Sequence, residues 1–359
     1  MENIYDFFYP YTEKYSVKEI AKAVGVNRGT VDRWLEKKEV PSYYYFDLCR
    51  MDGIEIDYSK FSKKEKDQFY TSEETAQYCI DKVYEVLKEW NVDITQYHFI
   101  EPSAGNGSFY NLLPTNKRTG VDIEPQGKGI QASDFLLWKP RTIKNICIGN
   151  PPFGLRGHLA LKFVNHAAKF SDFVCFIVPQ LFVSNGRGSC RGRVEGLNLI
   201  HSEIVDSTFY YPDGRSVKVN VIFQIWSKHY KVQETKTDLK GIIKLYSLSD
   251  GGTPDSTRNK KYIDGCDYYL PTSCFGKDKM KLYNSFTELQ TYSGREGGYG
   301  IIILSNLIFS NMSLIKSIIE KINWSEVSFI STNGAYNLNF ELIEKSIGKR
   351  LDKYIKLQE

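Results

Sequence analysis

The sequence predicts an α/β protein whose central part is a mostly parallel sheet. Three observations predict it. From about residue 69 to residue 230, short apolar runs alternate with helical stretches, as strands and crossover helices do. The first strong run ends in a Gly-bearing loop, and acidic residues stand at the ends of the runs that follow. Residues 1 to about 60 instead carry helical periodicity, and the pattern from about residue 231 to residue 359 is less regular. Three domains are therefore expected: 1–60, 69–230 and 231–359, the first two joined by the charged stretch Ser62 to Gln68.

Bulk properties exclude several classes. Of 359 residues, 42% are hydrophobic and 14% aromatic, enough for sizeable cores and too many for a disordered chain. Lys and Arg exceed Asp and Glu by 47 to 43, so a polyanionic partner would have to be met by local clusters. The seven cysteines are scattered without CxxC pairs, which points to a reduced, cytoplasmic protein with neither a disulfide framework nor a metal site. No signal-peptide pattern opens the chain and no apolar run approaches the roughly 18 residues of a membrane span.

In the N-terminal domain, Ile20, Ala21 and Val24 form one apolar helical face that Gly25 ends. Asn27 is placed to cap a second helix whose Val31, Trp34 and Leu35 face inward. Helix, Gly turn, helix at this spacing resembles the helix-turn-helix family. Its second helix would present Arg28, Thr30, Arg33 and Lys37 to phosphates or base edges.

In the central domain the expected strands are "YHFIEP", "KRTGVDIEP", "NICIGNPP", "FVCFIVP" and "KVNVIFQIW". Glu101 and Pro102 lead into the loop Ser103-Ala104-Gly105-Asn106-Gly107, whose glycines allow backbone to approach a ligand closely. Asp122 at the next strand end suits ribose hydroxyls, Asp134 can accept from an adenine amine, and Phe135 can pack on the ring. No G-x-x-x-x-G-K-[ST] or G-x-G-x-x-G pattern is present, and Glu101 beside the loop would repel phosphates and attract an ammonium. A nucleoside bearing an amino acid, S-adenosyl-methionine, satisfies all of these features.

"EPSAGNG", "VDIEP", "SDFLLW" and "NPPF" occur in this order. Over roughly residues 69–230 the chain resembles S-adenosyl-methionine-dependent DNA amino-methyltransferases, above all the adenine-N6 enzymes. The order is similar to the group whose cofactor half comes first and whose target-recognition domain comes last. The resemblance implies a Rossmann-like methyltransferase sheet with a C-terminal target-recognition domain. It implies cofactor contacts at Tyr70, Thr71, Glu101, Pro102, Ala104, Gly105, Gly107, Asp122, Ile123, Asp134, Phe135 and Asn150. Tyr70-Thr71-Ser72 departs from the family's usual Tyr-Thr-Pro. The catalytic set it implies is Asn150, Pro151, Pro152 and Phe153. Asn150 would offer its side-chain oxygen and Pro151 its carbonyl to the amine of a flipped adenine, while Phe153, where Tyr is commoner, stacks on the base. The two prolines remove local donors and stiffen the rim. Cys147 and Cys175 lie in apolar runs and read as core packing.

Two basic clusters are candidates for contact with double-stranded DNA. Arg187, Arg191 and Arg193 lie in a Gly-rich loop after "FIVPQLFVS". Arg258, Lys260 and Lys261 lie near Tyr262, Tyr268 and Tyr269. The expectation is a sequence-specific adenine-N6 DNA methyltransferase, for which a cognate restriction endonuclease in the same cell is a conceivable partner. The alternatives are methylation of another amine (cytosine-N4, an RNA base or a protein glutamine), or a DNA-binding regulator whose methyltransferase domain is inactive.

Overall fold

The central strands are β1 (His98–Glu101), β2 (Arg118–Asp122), β3 (Gln131–Ala132), β4 (Asn145–Gly149), β5 (Phe173–Pro179), β6 (Asn198–Val205) and β7 (Val221–Ser227). Their order across the sheet is β3-β2-β1-β4-β5-β7-β6. β1 to β5 run parallel, and β7 lies antiparallel between β5 and β6. This is the mostly parallel, Rossmann-like sheet expected from the sequence. The computed structural model describes residues 3–62, 69–185, 189–205, 208–211, 214–233, 239–250, 257–294, 296–304, 312–331 and 333–356. The expected linker lies outside the described residues from position 63 to 68.

Every residue of β4, β5 and β7 is buried, as strands covered on both faces must be. The helix Glu73–Glu89 covers one face with Ala76, Cys79, Ile80, Val83 and Leu87, a helical stripe that shares a core with Phe99, Ile146, Phe173 and Phe223. The helix His158–Ala167 buries Leu161, Phe163 and Val164. The final expected run forms β7 from Val221, and its first residue, Lys218, ends a separate strand: Ser216–Lys218 pairs with Thr208–Tyr210, which pairs with Tyr70–Thr71.

At the N-terminus the helices Val17–Val24 and Arg28–Lys37 form as expected. Ser16 and Glu19 make a reciprocal capping box, and Asn27 Oδ1 accepts from Thr30 N at 2.9 Å. Gly25 turns the chain at φ +73°, a left-handed conformation. Ile20, Ala21, Val24, Val31 and Trp34 are buried with Phe8, Tyr11 and Leu48 in a core of their own. Residues 1–179 and 193–232 make one compact unit, so this helical segment and the sheet belong together, and residues 180–192 and 233–359 make a second.

The second unit is built on an antiparallel sheet ordered Thr257–Arg258, Ile243–Asp250, Gly297–Ile303, Tyr268–Pro271. Its core includes Leu270, Ile301, Ile315, Trp324 and Ile347. The Gly-rich stretch from Gly297 to Gly300 lies in a strand, Gly297–Ile303. Glycine is needed there for packing: a Cβ on Gly300 would sit 2.3 Å from Cys266 Sγ. Among the described residues no helix is long and apolar enough to cross a membrane.

Candidate functional site

The C-terminal ends of β1, β2, β3 and β4 lie side by side, so the loops after them converge on one sheet edge, where ligands of parallel α/β sheets bind. The loop after β1 turns at Gly105, φ +48°, where a Cβ would fall 3.0 Å from the Tyr70 ring. Asp122 at the end of β2 organises this edge. Its Oδ2 accepts from Gly105 N at 2.8 Å and its Oδ1 from Glu124 N at 2.7 Å. A cleft at this edge is lined by Tyr70, Pro102, Ser103, Gly105, Asp122 and Ile123. Ser133, Asp134, Phe135, Asn150, Pro152, Leu159 and Phe163 continue the lining. Eight of the expected cofactor residues thus meet around one cavity: Tyr70, Pro102, Gly105, Asp122, Ile123, Asp134, Phe135 and Asn150.

Four others shape the loop from beneath. Thr71, Ala104 and Gly107 are buried, and the Thr71 carbonyl accepts from Ser108 Oγ at 2.7 Å. Glu101 is 2% exposed, and its carboxylate accepts from Tyr110 N at 2.6 Å. Burial pushes the Glu101 carboxyl well above the usual range, against the lowering effect of that N–H. Its visible role is to brace the loop. Ser72, where the family has Pro, caps the helix Glu73–Glu89 by accepting from Thr75 N.

At the end of β4 the Asn150 carbonyl accepts from Ser103 Oγ at 3.0 Å, tying the rim to the Gly loop. The Asn150 side-chain oxygen is buried and has no hydrogen-bond partner among the described residues. An unmade bond of that kind costs about 1–3 kcal/mol, and at the rim of the cleft this acceptor can take a donor from outside. Pro151 is buried and Pro152 faces the cleft. Phe153 is half-buried and packs against the main core, and its carbonyl accepts from Leu159 N and Ala160 N. Cys147 is buried beside Ser171 Oγ at 3.2 Å, its thiol pushed up to about 12 by burial, and Cys175 is raised by the same cause. Both are core residues. Among the described residues no group of three or more His, Cys, Asp or Glu is placed to hold a metal ion.

The remaining lining was not visible in the sequence. Phe46, Arg50 and Tyr58, from the helical N-terminal segment, line the same cleft, as does Phe69. Arg50 Nε donates to Asp134 Oδ2 at 2.6 Å, and the Tyr58 hydroxyl donates to the same oxygen at 2.7 Å. Arg50 also meets Asp47 at 3.1 Å, and Asp47 pairs with Lys162 Nζ at 2.7 Å. Lys162 Nζ reaches the Ala23 carbonyl at 2.9 Å. Burial lowers Lys162 from its ordinary range, partly offset by Asp47. His158 beside this network is lowered to about 4, chiefly by burial and by Lys162.

The expected DNA contacts fall in both units. Arg28, Arg33 and Lys37 are exposed on the second helix, with Arg28 Nε 3.7 Å from Asp32, whereas the Thr30 hydroxyl is turned to Asn27 Oδ1 at 3.0 Å. Arg191 meets the Val183 carbonyl and Glu341 within the second unit, and Arg193 reaches the Gly25 carbonyl at 3.4 Å within the first. Arg187 and the side chain of Arg258 lie outside the described residues. Lys260 and Lys261 are exposed, with Lys261 5.0 Å over the Tyr262 ring, which stacks on Tyr246. Tyr268 and Tyr269, expected on that face, are instead core residues at 6% and 3% exposure. Their strand pairs with Gly297–Ile303 and packs under the helix Phe286–Ser293, which leaves no open face.

No protein-family model matches the chain. Over 82 residues it is 30% identical to the type II methyltransferase M.TthHB8I of Thermus thermophilus. That match covers 20% of this chain and 19% of the relative, so the chain spans about a fifth of the length of the curated relative it matches. Among solved structures, a Pyrococcus horikoshii protein assigned as an RNA methyltransferase aligns with 47% of this chain and 90% of its own. Its TM-score is 0.36, at 20% identity. The magnesium protoporphyrin IX methyltransferase of Synechocystis, solved with its methyl donor, has a TM-score of 0.27 at 11% identity, covering 43% of this chain and 79% of that one. The fold assignment rests on this chain's own strand order.

Proposed function

We propose that the protein is an S-adenosyl-methionine-dependent methyltransferase acting on the N6 amine of a flipped adenine in double-stranded DNA. The observation that carries the reading is the buried, unpartnered Asn150 side-chain oxygen at the rim of a cleft that also holds Asp122 and Asp134. The cleft fits a nucleoside: carboxylates at two successive strand ends, the Phe135 ring, and a Gly105 position that a side chain would fill. The 30% identity to a type II methyltransferase supports the reading without fixing the base.

When bound, the cofactor supplies a methyl group on a positively charged sulfur. The chain's part is to make a poor nucleophile attack it. An adenine amine is weak because its lone pair is delocalised into the ring. The Asn150 oxygen and the Pro151 carbonyl accept its two N–H bonds, draw the nitrogen toward tetrahedral geometry and stabilise the positive charge that develops as the N–C bond forms. One N–H proton then leaves to solvent. Pro151 and Pro152 hold both acceptors in place, since neither has a donor of its own and their φ angles are fixed. Phe153 holds the base by its ring face.

In this account residues 1–60 form a helix-turn-helix domain that reads or grips DNA through Arg28, Arg33 and Lys37. Residues 69–230 form the methyltransferase, and residues 231–359 recognise the target. Sequencing the modified bases of DNA from cells that express the protein tests the reading. N6-methyladenine at a fixed motif is expected. N4-methylcytosine would move the target to the other amine, and unmodified DNA would overturn the DNA reading.

A further inference from the structure

Asp134 is reached by two side chains from the helical N-terminal segment, 84 and 76 residues upstream. A carboxylate offers about four acceptor positions. Arg50 Nε and the Tyr58 hydroxyl occupy Oδ2, and Leu136 N at 2.9 Å occupies one position on Oδ1. One acceptor position remains, on Oδ1, and Asp134 lines the cleft. Arg50 is itself held by Asp47 at 3.1 Å and by the Tyr58 hydroxyl at 3.3 Å. The Asp134 side chain is 10% exposed and Arg50 is 15% exposed, so the pair is shielded from screening by water.

We propose that the N-terminal helical segment completes the cofactor site, with Arg50 and Tyr58 positioning the Asp134 carboxylate so that its one remaining acceptor position reads the 6-amino group of an adenine ring. The inference rests on the nucleoside-cofactor reading of the cleft. Arg50 is a positioning residue, since its guanidinium acts on the ligand through Asp134. Its guanidinium lies against Oδ2 at 2.6 Å, and this charge-assisted bond from Nε fixes the rotation of the carboxylate plane. A 6-oxo ring presents an acceptor where the 6-amino ring presents a donor, so a correctly held Asp134 rejects it.

The test is calorimetric titration of the full chain with S-adenosyl-homocysteine and with its inosine counterpart, in which an oxygen replaces the 6-amino group. The wild type, Arg50→Met, Arg50→Lys and Tyr58→Phe are compared, with circular dichroism to verify folding. The wild type is expected to prefer the adenosine ligand. Arg50→Met should weaken that ligand about tenfold and leave the inosine ligand within about twofold, collapsing the preference. Arg50→Lys should recover part of it, and Tyr58→Phe should lose about threefold. Should Arg50→Met fail to fold, Tyr58→Phe decides alone: a reduced preference supports the proposal and an unchanged one overturns it. Folded variants that bind both ligands as the wild type does, or lose both equally, overturn the positioning role and leave the cofactor reading intact. A wild type that binds neither ligand overturns the cofactor reading and the proposal with it.

Discussion

Asp47→Asn is expected to destabilise the first unit by about 3–5 kcal/mol, the usual cost of removing one partner from a buried ion network. The side chain is 7% exposed and lies 2.7 Å from Lys162 Nζ and 3.1 Å from Arg50 Nη1. With Asp134 the wild-type site holds two cations against two anions, and the substitution takes from the largely buried Lys162 its anionic partner. For a unit of this size the loss corresponds to a fall in melting temperature on the order of 10 °C. The pH dependence follows from Lys162, whose folded value already lies below its ordinary one and falls further without Asp47. Between that folded value and the ordinary lysine range the unfolded chain binds more protons, so stability rises with pH there. The deficit is therefore full below the variant's folded value and shrinks as the pH is raised through it. Urea denaturation at several pH values measures it. Asp47→Asn/Lys162→Met should regain most of the loss, because the second substitution removes the cation left without a counter-charge. A single variant within about 1 kcal/mol of wild type, or a double variant as unstable as the single, would refute the reasoning.

Two further outcomes are expected from the same region. Gly25→Ala and Gly53→Ala both force alanine into a left-handed conformation, at φ +73° and +68°, costing about 1–2 kcal/mol each. Only Gly25→Ala also drives a Cβ to 2.2 Å from His158 Cε1, so in thermal melts it should be the worse by about 1–3 kcal/mol. The two should be equal if the helical turn does not pack on His158. His158 is held neutral down to about 4, so the unfolded chain takes up its proton first as the pH falls from the ordinary histidine value. Up to about 3 kcal/mol of stability is lost between those two values, and His158→Gln should flatten that slope in urea titrations.

How much of this was legible in the sequence depended on distance along the chain. The sheet was, because fully buried parallel strands such as Phe173–Pro179 read as unbroken apolar runs, and the Gly105 loop, Asp122 and Asp134 mark three strand ends. The turn at Gly25 was, because glycine and a capping Asn are local signals. β6 escaped notice because its outer position gives it mixed polarity, "NLIHSEIV". Tyr268 and Tyr269 read as a surface only because basic residues precede them. The Arg50–Asp134 bond was illegible for a plain reason: an amphipathic helix states which face it buries and not what it buries that face against.

In the proposed reaction Asn150 grips the amine while the rest of the cleft holds the cofactor. Methyl transfer from radiolabelled S-adenosyl-methionine to duplex DNA, measured for the wild type and Asn150→Ala beside calorimetric cofactor binding, tests it most directly. Transfer to adenine by the wild type is expected. Asn150→Ala should lose at least about a hundredfold, with cofactor affinity within about threefold. Full transfer by Asn150→Ala would contradict it.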